Sequence, residues 1–272
     1  MSPIQSILVH VDAGPNCAPR LQVARALGAH TGARVTAMYA VTPLAIEMAL
    51  DVGMGTAQNA LFELDDARRS TARELVARVS AEPGVQIDWR EVREAAEYWA
   101  IRQALYADLL VLGQHDRAHR DTGVRADFVP SILIASGKPA LVVPYIGTRA
   151  STFQTVMVAW KETREAARAL TAAIPILRTA RAVHVVLERD TMDAHKELLR
   201  AFLQRHGIEA RCQTLTDSAA VAGEAMLSMA ADLDADLLVM GCYGHSRARE
   251  LVLGGASRTV LESMTLPVLM AH

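Results

Sequence analysis

Short runs of Val, Ile and Leu alternate along the chain with longer stretches in which apolar residues return every three or four positions. The short runs fall at about 4–12, 33–41, 85–92, 108–113 and 139–144, and again near 154–160, 182–188, 208–215, 236–241 and 267–271. They are continuously apolar, as expected of strands covered on both faces. Between them, Leu61, Leu64, Ala72, Leu75, Val76 and Val79 mark an amphipathic helix that stops before Pro83-Gly84, a pair that ends helical periodicity. Strand and helix alternate through five strands in each half. That order predicts an α/β fold with parallel sheets wound by right-handed crossovers.

The pattern repeats because the residues do. Ala107-Asp108-Leu109-Leu110-Val111-Leu112-Gly113 returns 128 residues later as Ala235-Asp236-Leu237-Leu238-Val239-Met240-Gly241. The same displacement carries Pro139 onto Pro267 and Leu141 onto Leu269. Ile7-Leu8-Val9-His10-Val11 is echoed more loosely by Val156-Met157-Val158-Ala159-Trp160. Such an internal repeat reads as two copies of one small domain, expected at 1–147 and 152–272, with a polar linker around Gly147-Thr148-Arg149-Ala150-Ser151. The helix expected at about 192–206 is much shorter than its counterpart in the first copy, which explains most of the inequality between the halves.

Composition narrows the class. The 272 residues hold 51% hydrophobic and 21% charged side chains, ample for a core and unlike disorder. With 28 basic and 30 acidic residues the formal charge is −2, which argues against nucleic acid as a partner. Aromatics at 4% also remove the stacking platforms of single-strand binders. No apolar run approaches the ~20 residues of a membrane span, and the N-terminus lacks a signal-peptide pattern. Cys17, Cys212 and Cys242 are odd in number and widely spaced, which fits a reducing compartment. The expectation is a soluble cytoplasmic protein with no membrane partner.

For strands ordered 3-2-1-4-5, a ligand is expected beyond the carboxyl ends of strands 1 and 4, where the winding reverses. After strand 4 of the second copy the chain reads Gly241-Cys242-Tyr243-Gly244, then nine residues, then Gly254-Gly255-Ala256-Ser257. Glycines let backbone amides approach an anion, and a helix expected over 255–264 would aim its positive end at the same place. Phosphate is the natural occupant. Tight packing of helix on strand is the competing explanation for the glycines.

The segment GCYGHSRARELVLGGASRTVL resembles the G-x2-G-x9-G-[ST] signature of universal stress proteins. The resemblance extends over both halves and implies two tandem five-stranded domains of the adenine-nucleotide-hydrolase-like, Rossmann-like class. It further implies regulatory binding of ATP, with Mg2+ accompanying the nucleotide, as part of a stress response. Carried onto this chain, the binding set is Ala159, Trp160, Lys161, Val186, Gly241, Gly244, His245, Gly254, Gly255, Ala256 and Ser257. The resemblance also implies that the final strands, 139–143 and 267–270, pair as an intramolecular pseudo-dimer, with a homodimer as a further step. An apolar edge strand of that kind needs covering.

Departures from the signature matter. Gly255 stands at the Ser/Thr position, while Ser257 keeps a hydroxyl two residues on. Losing one hydrogen bond to a charged phosphate costs about 1.5–3 kcal/mol, roughly tenfold to a hundredfold in affinity. Lys161 replaces the acidic residue at the end of strand 1, and a lysine cannot accept a ribose or adenine hydrogen bond. In the first copy Asp116, Ala126 and Asp127 stand where the second has Gly244, Gly254 and Gly255, so carboxylates would oppose phosphate there, although Asp12 keeps the strand 1 acid. Two alternatives stay open: a nucleotide-independent scaffold for protein partners, and a different anion or nucleotide such as AMP in the same loop.

Other residues suggest less. His115 and His119 flank Asp116 but find no third ligand, so a polar loop rather than a metal site is expected. Cys242 reads as a small buried thiol, Arg258 with Arg247 and Arg249 as a basic fringe, and Met226, Met229, Met240, Met264 and Met270 as core. No nucleophile elbow, Walker loop, HExxH motif or paired zinc cysteines occur. Dedicated catalysis is not indicated, and slow ATP hydrolysis is the most that the resemblance implies.

Overall fold

A computed structural model describes residues 4–44, 57–92, 96–118, 123–148, 152–188, 191–214, 222–243 and 255–272. In the first repeat the strands are β1 (Ser6–Val11), β2 (Arg34–Ala40), β3 (Ile87–Val92), β4 (Leu109–Gly113) and β5 (Ala140–Val143). They alternate with helices α1 (Cys17–Thr31), α2 (Ala57–Ser80), α3 (Ala96–Ala104) and α4 (Phe128–Ser136). The second repeat has strands β6 (Thr155–Trp160), β7 (Ala182–Leu187), β8 (Ala210–Thr214), β9 (Leu237–Gly241) and β10 (Val268–Ala271). Its helices are α5 (Arg164–Leu177), α6 (Asp193–Arg205), α7 (Ala222–Asp232) and α8 (Ala256–Ser263). Each strand lies within a few residues of the position its hydrophobic pattern predicts, as do α2, α6 and α8. The first four residues of β4 and of β9 are buried, which is why those runs read as unbroken Leu and Val.

Local chemistry sets the boundaries. α1 ends on Gly32 in the left-handed region (φ 73°), whose amide returns to the Gly28 carbonyl. α5 begins at Thr163, whose hydroxyl accepts from the Ala166 amide at 3.3 Å. No described helix is long and apolar enough to cross a membrane.

The chain divides into two compact units, one of 1–138 and 145–147, the other of 139–144 and 148–272. In the first, the strand order is β3-β2-β1-β4 and every pairing is parallel. In the second, β8-β7-β6-β9-β10 are parallel neighbours, and β5 adds to the outer side of β10. The β5 pairing is antiparallel, with Val268 opposite Val142, Leu269 opposite Leu141 and Met270 opposite Ala140. The five strands of the second repeat are all parallel, as expected, and the antiparallel β5 makes the sheet a mixed one. The reason is physical: β10 would otherwise present an apolar edge of unpaired backbone groups, and β5, the equivalent strand of the first repeat, satisfies them. The expected pairing of the two final strands is found in this form.

The repeated Ala-Asp-Leu-Leu-Val segment owes its aspartate to a clasp at the amino ends of the strands, away from the ligand edge. Asp108 Oδ2 accepts from the amides of Gln5 and Ser6 at 3.0 and 2.9 Å. Asp236 does the same for Gln154 and Thr155 at 2.7 and 3.1 Å. Each carboxylate joins the start of the first strand to the start of the fourth. Burial would push Asp108 up, but the two amides and the Ser6 hydroxyl hold it below the usual carboxylate range. Its contribution is therefore present above the ordinary carboxylate pKa and is lost as the pH falls through the lowered one. Asp108→Ala should cost about 1 kcal/mol at pH 7, since water replaces part of the lost bonding. Urea unfolding should show that difference shrinking toward pH 3.

Candidate functional site

Both units reverse their winding between the first and fourth strands, so the crevice that can take a ligand lies at the carboxyl ends of β1 and β4 in one and of β6 and β9 in the other. The two crevices are filled differently.

In the first unit the chain's own side chains occupy the crevice. Asp12, just beyond β1, receives a 2.7 Å bond from Arg20 Nη2 on α1 and a 2.8 Å bond from the Gly14 amide. Arg20 is only 5% exposed, and its guanidinium lies where a side chain on Gly113, the last residue of β4, would stand: an added Cβ would fall 2.1 Å from Nη1. Gly113 is thus explained by Arg20. Burial favours the neutral form of Asp12, yet the guanidinium outweighs it and holds the carboxyl below its usual range; Arg20 is in turn held firmly charged. Asp12 is consequently not an open anchor for a ligand, which corrects its expected role.

His10, on β1, completes this cluster. Its Nε2 donates to the Ala40 carbonyl at 2.9 Å and its ring lies 4.5 Å from that of Phe128. Burial first, and the Arg20 charge second, lower its pKa from 6.5 to about 4. The two carboxylates expected to oppose phosphate are also engaged. Asp116 accepts from Asn16 Nδ2 and the Ala118 amide at 2.8 and 2.9 Å. Asp127, at the start of α4, takes a two-pronged contact from Arg125 at 3.0 Å on each oxygen. The amino end of α4 carries a negative charge of its own.

In the second unit the register sets Val186, Ala159 and Met240 side by side on β7, β6 and β9. Trp160 and Lys161 follow at the end of β6, and Gly241 ends β9. Val186 is 3% exposed and packs in the core, so its side chain is not offered to a ligand. Lys161 Nζ meets Glu188 Oε1 at 2.9 Å across the ends of β6 and β7, with both side chains about half exposed. A Cβ on Gly241 would lie 2.5 Å from the Ala166 amide nitrogen of α5; close packing of helix on strand therefore accounts for this glycine.

Beyond β9, Tyr243 adopts the left-handed region (φ 54°) and its amide donates to Ser257 Oγ at 3.2 Å. That bond ties the strand end to the first turn of α8 and uses the hydroxyl expected for phosphate. α8 itself starts after Gly255 in extended conformation, and among the described residues no side chain caps it. Gly223 of α7 leaves room for this turn, since a Cβ there would lie 3.0 Å from the Ala256 carbonyl. Gly255, Ala256 and Ser257 are thus brought together with Gly241. Gly244, His245 and Gly254 of the expected set, with Arg247 and Arg249, lie outside the described residues. Arg258 pairs with Glu262 at 2.9 Å. Cys242 is buried, as are Met226, Met240, Met264 and Met270, while Met229 is half-buried. His119 falls outside the described residues, and among those described no three His, Cys, Asp or Glu side chains gather as metal ligands.

Arg20, Glu188 and Tyr243 are among the participants that the sequence reading missed. Arg20 had a signal, since it shares the stripe of Cys17, Leu21, Ala24 and Leu27 that α1 buries; a charge on such a stripe needs a buried partner. Glu188 and Tyr243 had none, because their roles depend on neighbouring strands and on a turn.

The sequence model described as Universal stress protein family matches residues 3–144 and again 152–272. A universal stress protein from Archaeoglobus fulgidus DSM 4304 is 16% identical, with a TM-score of 0.75 over 98% of this chain and 95% of that one. A protein of Pseudomonas aeruginosa UCBPP-PA14 assigned to the universal stress proteins is 17% identical, with a TM-score of 0.58 over 98% and 92%. The cytoplasmic domain of a prokaryotic cation chloride cotransporter is 13% identical, with a TM-score of 0.50 over 98% and 94%. At these identities the likeness is one of fold. No curated protein matches the chain.

The buried His10 has a pH signature. Its folded pKa of about 4 lies below the ordinary 6.5, so stability is complete above pH 6.5 and declines as the pH falls toward 4. Chemical denaturation should show a loss of about 3 kcal/mol over that interval. His10→Gln, which keeps a donor for Ala40, should remove most of the slope; an unchanged slope would assign it to other groups. Gly241→Ala should destabilise by about 1–3 kcal/mol at every pH, because backbone, not a mobile side chain, blocks the added methyl.

Proposed function

Because the chain belongs to the universal stress protein family, matched over both halves, we propose that its second unit binds one adenine nucleotide, ATP, as a regulatory ligand in a stress response. The observation that carries this reading is the start of α8. Gly255, Ala256 and Ser257 open a helix whose first amides have no side-chain cap among the described residues, at the end of β9 and the winding reversal. Such an end attracts phosphate through its N–H groups and its partial positive charge. The family signature beginning at Gly241 runs through the same segment. The first unit is the internal contrast: Asp127 occupies the start of α4, and Arg20 fills the space beside Gly113. One site per chain is therefore expected, with Mg2+ accompanying the nucleotide and with Ala159, Trp160 and Lys161 beside the base and sugar.

Nucleotide-independent scaffolding is the second reading, and one observation favours it: Lys161 is held by Glu188 and offers no acceptor for ribose or base. The two are separated by Gly255→Asp. The Gly255 backbone (φ −67°, ψ 154°) suits any residue, and aspartate is a good cap, so the fold should hold or gain stability. Its carboxylate would oppose phosphate as Asp127 does in the first unit. Calorimetric titration of the whole chain with MgATP should give one site. Gly255→Asp and Gly244→Asp should each weaken it at least tenfold, about 1.4 kcal/mol. Two equal sites, or no heat in the millimolar range, would overturn the ATP reading. Retention of protein partners unchanged by Gly255→Asp would favour the scaffold.

A further inference from the structure

α3 covers the sheet with its smallest residues and turns its largest ones outward. Its buried positions are Ala96, Ala100 and Ala104, which share one face. Outward stand Tyr98, Trp99 and Arg102, with Leu105 and Tyr106 in the turn that follows. Tyr98 is 55% exposed and Tyr106 81%. In a chain with 4% aromatic residues, three on one surface are a concentration. The fold does not require it. α7 holds the same place in the second repeat, between its third and fourth strands, and exposes Glu224, Ser228, Ala231 and Asp232 instead. Exposed rings carry a cost in water that a bound surface relieves.

The charges on this face decide what that surface is. The rings of Tyr98 and Trp99 meet edge-on with centroids 5.5 Å apart. Arg102 Cζ lies 5.6 Å from the first centroid and 6.0 Å from the second, and its Nη1 donates to Tyr98 Oη at 3.3 Å. The guanidinium is therefore held in place by rings, with most of its N–H groups unspent. Beside it Arg90, on the outer strand β3, donates to Gln103 Oε1 of α3. Both arginines are exposed, and neither meets a carboxylate among the described residues. The nearby acids of β3 are engaged elsewhere, Asp88 with Arg34 and Glu91 with Arg69. Glu97 falls on the opposite flank of α3 from Gln103.

We propose that the outer face of α3 docks a partner protein through an acidic segment that also carries a large apolar side chain. One carboxylate takes the planar fork of Arg102 and another reaches Arg90, while the apolar group lies on Trp99 and Tyr98. Trp, Tyr and Arg are the side chains that anchor protein interfaces, and holding Arg102 in advance lowers the entropy lost on docking. Nucleic acid fits less well, because two unmatched cations are few for a phosphate backbone. A second copy docked face to face would bring like charges together. None of these residues belongs to the nucleotide reading, so either site can fail without the other.

A short fluorescein-labelled peptide of Glu and Asp around one Phe and one Leu serves as the probe. Its counterpart carries Gln and Asn for the acids, and labelled oligothymidylate represents nucleic acid. Each is titrated with the full chain and followed by fluorescence anisotropy. The acidic peptide should bind saturably, and the amide peptide about tenfold more weakly or worse. Arg102→Glu should weaken the acidic peptide by about tenfold or more, and Trp99→Ser by about fivefold. Both positions are exposed, so the thermal transition and MgATP binding should match the parent chain. Absent or non-saturable binding, equal binding of the amide peptide, tighter binding of oligothymidylate, self-association relieved by Arg102→Glu, or parent-like affinity in both variants overturns the proposal.

Discussion

In each unit the helix that follows the first strand fills the space beside the last residue of the fourth strand, leaving no room there for a Cβ. Gly113 and Gly241 mark the contact. The approach is the same but its occupants differ: the Arg20 side chain in one unit, the α5 backbone at Ala166 in the other. Everything at the carboxyl edge follows from that difference. Where a guanidinium fills the space, the crevice holds a buried cation, and Asp12 must stay ionised to match it. Where backbone fills it, no such charge is introduced.

A buried ion pair of this type is weak support for stability. Removing charges from water costs several kcal/mol per ion, and mutual attraction recovers that only with good geometry. Asp12 has such geometry, with Arg20 and the Gly14 amide both in reach. Removing Arg20 alone would leave a buried carboxylate unmatched, whereas replacing both partners with apolar residues of similar volume would cost far less. The cluster around His10 therefore makes the first unit sensitive to acid and internally satisfied at neutral pH.

Helix starts show the same division of labour. Thr163 caps α5, Asp127 places a carboxylate at α4, and α8 begins bare behind Gly255. Each solution follows from a single residue at the N-cap, and each changes what the adjacent edge can attract. The fold itself is shared with a universal stress protein and with a cotransporter domain, so function must be sought in such local choices and not in the architecture.

The sequence alone determined the elements, the duplication and the place where a ligand would be sought. Those depend on short-range rules: unbroken apolar runs for two-sided strands, helical periodicity, proline and glycine stops, and the return of Ala107 to Gly113 as Ala235 to Gly241. Tertiary structure alone decided the partners. That β5 joins the second unit antiparallel to β10, that Asp12 is claimed by Arg20, that Lys161 is claimed by Glu188, and that Gly241 serves packing against α5 are contacts between segments apart in sequence or held at a particular register. Periodicity tells which face of an element is covered; it carries no information about which atoms cover it. Those atoms decide whether a charge at the edge remains available to a ligand.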